Sequence, residues 1–155
     1  MSTRSIIAVP TDTDWKGRYV HWDGYPSNMG KELQAIIQRD GYENAIKVLT
    51  QDHKSWSGIN SDPLNLSDPQ GHTLVPGYGV AHADIPANDD PWLYPEDQDS
   101  TEWVYLLLPF GIAVYERSNG IPRDEGDIFV GIYDWAEDND WTEIQENIYK
   151  RTEMA

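Results

Sequence analysis

The sequence of 155 residues predicts a single α+β domain over residues 1–155. We expect a largely antiparallel sheet of about five strands, with about three helices packed on one face. Three observations predict this class. Segments rich in β-branched and aromatic residues stand near both ends, and segments with apolar residues at helical spacing follow them. Residues 54–100 hold six of the ten prolines and little periodicity, which indicates a long, partly irregular central loop.

The chain opens with two predicted strands that pair as an antiparallel hairpin. Residues 4–9 are rich in β-branched side chains, and residues 16–22 alternate so that Tyr19 and His21 share one face. Residues 23–26, Asp-Gly-Tyr-Pro, then form a strong chain-reversal signal.

Two helices are predicted after this turn. Ser27 or Asn28 can cap the first helix, which runs to about residue 39. The second spans residues 42–51, because apolar side chains recur there at helical spacing. The apolar residues at this spacing are Tyr42, Ala45, Ile46 and Leu49.

The C-terminal third predicts three strands and a helix. Residues 102–108 and 112–116 form a hairpin, and residues 128–135 form a third strand. Asp140 and Glu143 have capping-box spacing, so a final helix is expected to start there. Inside the central loop, only a short strand at residues 78–83 is expected.

The charge distribution restricts the class of partner. The formal net charge is −16, and residues 55–116 contain ten acidic residues but no Lys or Arg. Such a charge disfavours direct binding to nucleic acid and to anionic membranes. No apolar run approaches a membrane span, and the first residues lack the apolar region of a secretory signal. We therefore expect a cytoplasmic protein.

The acidic, aromatic part of the central loop is a candidate partner-binding surface. Exposed aromatic rings beside carboxylates suit docking to a basic protein surface, and the acidic segment 124–140 can extend such a surface. The alternatives are that the loop packs on its own domain, that the charge serves solubility, or that it imitates nucleic-acid phosphates. The candidate residues are Asp89, Asp90, Trp92, Tyr94, Glu96 and Asp97.

The segment His21-Trp22-Asp23-Gly24-Tyr25-Pro26 is a candidate ligand site. An imidazole near a carboxylate is a common start for general-base chemistry, and two arginines can hold a small anionic ligand. The alternative is a purely structural turn before the first helix. The candidate ligand-binding residues are Arg4, Arg18, His21, Asp23 and Tyr25.

Neither a metal site nor a cofactor is predicted. There are no cysteines, and no phosphate-binding loop or helical pair of histidine ligands is found. His72, His82 and Asp84, with oxygens from Asp89 or Asp90, are a weak candidate set for a metal.

Several segments resemble one family. STRS (2–5), HWDGYP (21–26), GYGVA (77–81) and TEWVY (101–105) are similar to small proteins encoded by bacteriophages of actinobacteria, with relatives in bacterial genomes. The resemblance implies an accessory protein made in the cytoplasm of the infected host. It supplies no catalytic residues, because the family has no assigned activity.

Three functions follow from these features. The first is a non-enzymatic protein that binds a host or defence component with a basic surface. The second is a protein that binds or sequesters a nucleotide-like small molecule, or a small enzyme, with its site around residues 21–26. The third is a structural role in the virion.

Overall fold

The computed structural model describes residues 3–64, 72–82, 92–97, 100–117 and 127–154. It confirms the α+β class. The strands are β1 Ser5–Pro10, β2 Trp15–Val20, β3 Ser55–Ile59, β4 His72–Val75, β5 Gly79–His82, β6 Trp103–Leu107, β7 Gly111–Glu116 and β8 Ile128–Asp134. The helices are α1 Pro26–Asp40, α2 Tyr42–Ile46, which continues as a π-helix over Lys47–Asp52, and α3 Trp141–Met154.

The strands form one mixed sheet in the order β4-β5-β3-β2-β1-β6-β7-β8. The central β1–β2 pair is antiparallel, whereas β3 joins β2 and β6 joins β1 in parallel. The remaining neighbours are antiparallel. A parallel β2–β3 pair requires a long crossover, which the helical segment between the two strands provides.

The expectation of about five strands is too low, since the described residues form eight. Strands β3 and β4 lie in the region predicted as an irregular loop. Both are short, and the sequence of β3, Ser-Trp-Ser-Gly-Ile, has too few apolar residues to show a strand pattern. The short strand expected at residues 78–83 is confirmed as β5.

The sheet has a helix-covered face and an outer face. The larger apolar core lies under the helices and includes Leu33 of α1, Leu49 of the π-helix and Ile148 of α3. A smaller core on the outer face contains Ile6 and Trp15, against which Leu93 packs. The prediction that helices pack on one face agrees with this arrangement.

Helix α1 begins differently from the prediction. Tyr25 is its N-cap residue and provides no side-chain cap, so the cap assigned to Ser27 or Asn28 is wrong. The Asn28 amide instead donates to the carbonyl of Asp23, at 2.8 Å. Pro26 occupies the first helical position, where the missing N–H costs nothing.

Helix α3 begins as the capping spacing predicts. The backbone N–H of Glu143 donates to the Asp140 carboxylate at 3.1 Å. Trp141 at its start packs directly on Gly30 of α1, where a Cβ would lie 2.2 Å from the indole ring. Gly30 thus permits the close approach of the two helices.

Candidate functional site

The segment 92–97 packs on the domain instead of projecting from it. Leu93 and Gly17 of β2 exchange two backbone hydrogen bonds, at 2.8 and 2.9 Å. The Arg18 guanidinium stacks on the indole ring of Trp92, with its carbon 3.4 Å from the ring centroid. The Lys16 ammonium nitrogen lies 4.3 Å from the centroid of the same ring. Trp92 is therefore held by contacts within the domain and is partly exposed, whereas Tyr94 and Glu96 are exposed.

Arg117 connects this segment to the start of β8. Its side chain is only 2% exposed, and it donates to the carbonyls of Tyr94 and Asp97, at 3.2 and 2.7 Å. It also forms an ion pair with the Asp127 carboxylate at 3.3 Å. Tyr94, Asp97 and Asp127 are therefore held around one buried cation. Asp89 and Asp90 lie outside the described residues.

Strand β8 carries exposed apolar side chains at the edge of the sheet. Among the described strands it pairs only with β7. Phe129 and Ile132 are 55% and 49% exposed on the outer face, and Ile128 and Phe110 are also exposed. The Phe129 ring contacts that of Tyr115, with centroids 5.5 Å apart.

Acidic side chains accompany this apolar strip. Glu96 is exposed in the segment 92–97, which Arg117 links to Asp127 just before β8, and Asp134 is exposed at the end of β8. In residues 92–140, the only cationic side chain in the described part of the chain is the buried Arg117. We call the exposed group the β8 surface. It consists of Tyr94, Glu96, Phe110, Ile128, Phe129, Ile132 and Asp134.

The predicted ligand residues of the first segment have separate hydrogen-bond partners. Arg4 donates to Ser100 at 3.3 Å, while the buried Arg18 donates to the carbonyl of Thr50 at 2.8 Å. His21 forms a hydrogen bond with Tyr19, with 2.7 Å between Nδ1 and the phenol oxygen. The predicted shared face of Tyr19 and His21 agrees with this contact.

The turn after β2 has a clear structural role. Asp23 takes a left-handed backbone conformation with φ of 55°, which Asp tolerates better than most residues. The carbonyl of Gly24 accepts a 2.5 Å hydrogen bond from the buried phenol of Tyr105. The backbone N–H of Gly24 donates to the carbonyl of Thr3 at 2.8 Å. These bonds fix the turn to β6 and to the start of the chain.

A small pocket opens beside this turn, with a volume of about 190 Å³. Asp23 is the only one of the five predicted ligand residues that lines it. The pocket lies against β3, β4 and β5, at the opposite edge of the sheet from β8. Its walls include Trp22, Asp23, Asp62, Leu74, Val75 and Val80.

Ser55 and His82 form a pair that the sequence did not indicate. Their side chains hydrogen-bond across β3 and β5 through the serine oxygen and the imidazole Nδ1. Ser55 is paired in register with Tyr19 of β2. Asp84, Asp89 and Asp90 lie outside the described residues, and within the described part no three His, Asp or Glu side chains are grouped to hold a metal ion.

Comparisons with protein-family models, curated proteins and solved structures give no match. None of the helices in the described part of the chain combines the length and apolarity that a bilayer crossing requires.

Proposed function

We propose that the protein is a non-enzymatic bacteriophage accessory protein that binds a basic surface of a host or defence protein through its β8 surface. The phage origin and the host cytoplasm as its compartment are taken from the resemblance of the HWDGYP and related segments. The exposed side chains of β8 and its place at the edge of the sheet support the choice of binding surface. The observation that carries it is the strip of half-exposed Phe129 and Ile132 on an edge strand.

Such an edge is usually protected in proteins that do not use it. Natural edge strands carry Lys, Pro or inward-pointing charges that prevent pairing with another chain. The seven residues of β8, Ile-Phe-Val-Gly-Ile-Tyr-Asp, include neither Lys nor Pro, although the pairing with β7 has one register shift, between Val114 and Tyr115. An incoming segment can therefore pair with the backbone of β8 and cover Phe129 and Ile132.

The charge of the surface selects a basic partner. Asp134 is exposed at the end of β8, Glu96 is exposed in the segment that Arg117 links to Asp127 just before β8, and Arg117 itself is buried. Basic side chains on a partner would find complementary charge at Glu96 and Asp134. The net charge of −16 opposes pairing of two copies of this chain along the same edge.

The proposal is tested by capture from an actinobacterial lysate with matched variants. The wild type is compared with Phe129→Ser/Ile132→Ser and with Leu64→Ser, which removes an exposed apolar side chain away from β8. We expect the wild type and Leu64→Ser to capture the same basic protein. The double variant should capture at least about tenfold less of it, and raising the salt to about 300 mM should release it.

Two results would contradict the proposal. One is a partner that the β8 double variant retains as well as the wild type does. The other is capture that is insensitive to salt, because an interface between exposed opposite charges weakens as they are screened. Failure of all three proteins to capture a basic host protein would also count against it.

A further inference from the structure

The pocket beside the Asp23 turn has the chemistry of a cation site. Its only ionisable side chains in the described part of the chain are two carboxylates, Asp23 and Asp62. Trp22 forms one wall and is 48% exposed, so part of its ring is accessible. Leu74, Val75 and Val80 supply apolar surface. Apolar walls with an aromatic ring and carboxylates favour a cation that has an alkyl stem.

The volume favours a ligand the size of one side chain. Pockets for drug-sized ligands hold roughly 300–1,000 Å³. This pocket holds about 190 Å³, which is below that range and suits a ligand the size of one side chain. A planar guanidinium fits the chemistry better than an ammonium group does, because it stacks on indole and pairs with carboxylates through two N–H groups.

Guanidinium stacking on an indole ring and two-point pairing of a guanidinium with a carboxylate both occur elsewhere in this chain. Arg18 stacks on Trp92 with its guanidinium carbon 3.4 Å from the ring centroid. Arg39 pairs with the two carboxylate oxygens of Asp40, at 2.9 and 2.8 Å. We propose that the pocket binds an alkylguanidinium group, supplied by an arginine side chain of a protein or by a free small guanidine. The site does not use the β8 surface, which lies at the other edge of the sheet.

The turn geometry positions the two pocket residues that precede α1. The backbone N–H of Trp22 donates to the carbonyl of Ser57 at 2.8 Å, and the His21 ring packs edge-on against the indole, with centroids 4.6 Å apart. The left-handed backbone of Asp23 is fixed by the Asn28 amide on its carbonyl. One wall of the pocket is therefore built by Trp22 and Asp23 of the HWDGYP segment, whose residues predicted an anionic ligand.

The test follows the Trp22 indole N–H in a ¹H–¹⁵N correlation spectrum, identified as the resonance missing from Trp22→Phe. Three probes are titrated. Nα-acetyl-arginine amide represents a protein side chain, agmatine represents a free guanidine, and Nα-acetyl-citrulline amide is the neutral isostere. The variants are Asp23→Asn and Asp62→Asn, with Glu146→Gln on α3 as a control for loss of one charge.

Both aspartate variants preserve local geometry. Asn tolerates the left-handed backbone of residue 23 as well as Asp does. An Asn at position 62 can still accept the 2.9 Å hydrogen bond that the Leu64 N–H donates to the side chain of Asp62. An unchanged pattern of the other resonances will verify the fold of each variant.

We expect a saturable shift with at least one guanidinium probe, and the probe that binds more tightly identifies the source. Each aspartate variant should raise the Kd by about tenfold, whereas Glu146→Gln should leave it unchanged. The proposal is overturned if neither guanidinium probe saturates by about 20 mM, a concentration well above a Kd of ~1 mM. Equal binding of the citrulline probe, or an unchanged Kd in both aspartate variants, would also overturn it.

Discussion

Replacing Arg117 by methionine should strongly destabilise the fold, because this residue is the buried connection between the segment 92–97 and β8. The substitution keeps an unbranched side chain next to Trp15 but removes the charge. It deletes the hydrogen bonds to the carbonyls of Tyr94 and Asp97, at 3.2 and 2.7 Å. It also leaves the Asp127 carboxylate, whose side chain is 11% exposed, without this cation.

The magnitude follows from these contacts. Removing one partner of a buried ion pair costs about 3–5 kcal/mol, because the other charge stays buried. The lost hydrogen bonds share the same guanidinium, so their cost of about 1.5–3 kcal/mol each is not added in full. We expect the free energy of unfolding to fall by about 3–5 kcal/mol in urea titrations. For a chain of this size the Tm should fall by roughly 6–20 °C.

A double-mutant cycle separates the ion pair from the remaining contacts. Arg117→Met/Asp127→Asn should be less destabilised than the sum of the two single variants, with a coupling energy of about 1–3 kcal/mol. If Arg117→Met lowers the free energy of unfolding by less than about 1 kcal/mol, or if the cycle is additive, the assigned role of Arg117 is wrong.

Two further predictions concern α1. Hydrogen bonds from Arg39 are the largest cause that lowers the pKa of Asp40, from 3.8 to about 2, and Tyr78 adds a 2.5 Å hydrogen bond. The stability that charged Asp40 contributes is therefore complete above about pH 4 and is lost as the pH falls through about 2. Asp40→Asn should be less stable than the wild type near pH ~7, and the difference should shrink below about pH 4 in urea titrations; a difference independent of pH would refute this. Gly30→Ala should cost about 1–3 kcal/mol, because the new Cβ would overlap the Trp141 ring. Gly58→Ala, where nothing lies within 4 Å, is the control, and equal unfolding free energies of the two variants would contradict the close packing of α1 and α3.

The strongly patterned elements were predictable from the sequence. The hairpin β6–β7 and the helix α3 have runs of apolar residues and a capping pair that do not depend on distant contacts. Strands β3 and β4 were missed because their pairing partners, and not their own side chains, make them strands. The parallel β1–β6 pair joins residues about a hundred positions apart, which no local pattern can indicate.

The candidate sites were less predictable for the same reason. Residues 21–26 stood out by composition, yet the pocket beside them is completed by β3, β4 and β5. Trp92 looked like an exposed docking residue because its partner Arg18 lies more than seventy positions earlier in the chain. The exposure of Phe129 depends on the place of β8 at the edge of the sheet, and strand order cannot be read from the strand itself.

The most direct measurement of the central proposal is site-specific photocrosslinking from β8. Phe129 is replaced by p-benzoylphenylalanine, and Leu64, an exposed residue away from β8, receives the same group as a control. After irradiation in an actinobacterial lysate, we expect an adduct with a basic host protein from position 129 only, and we expect it to disappear at about 300 mM salt. Adducts of equal yield from both positions, an adduct of two copies of this chain, or no adduct from position 129 would contradict the proposal.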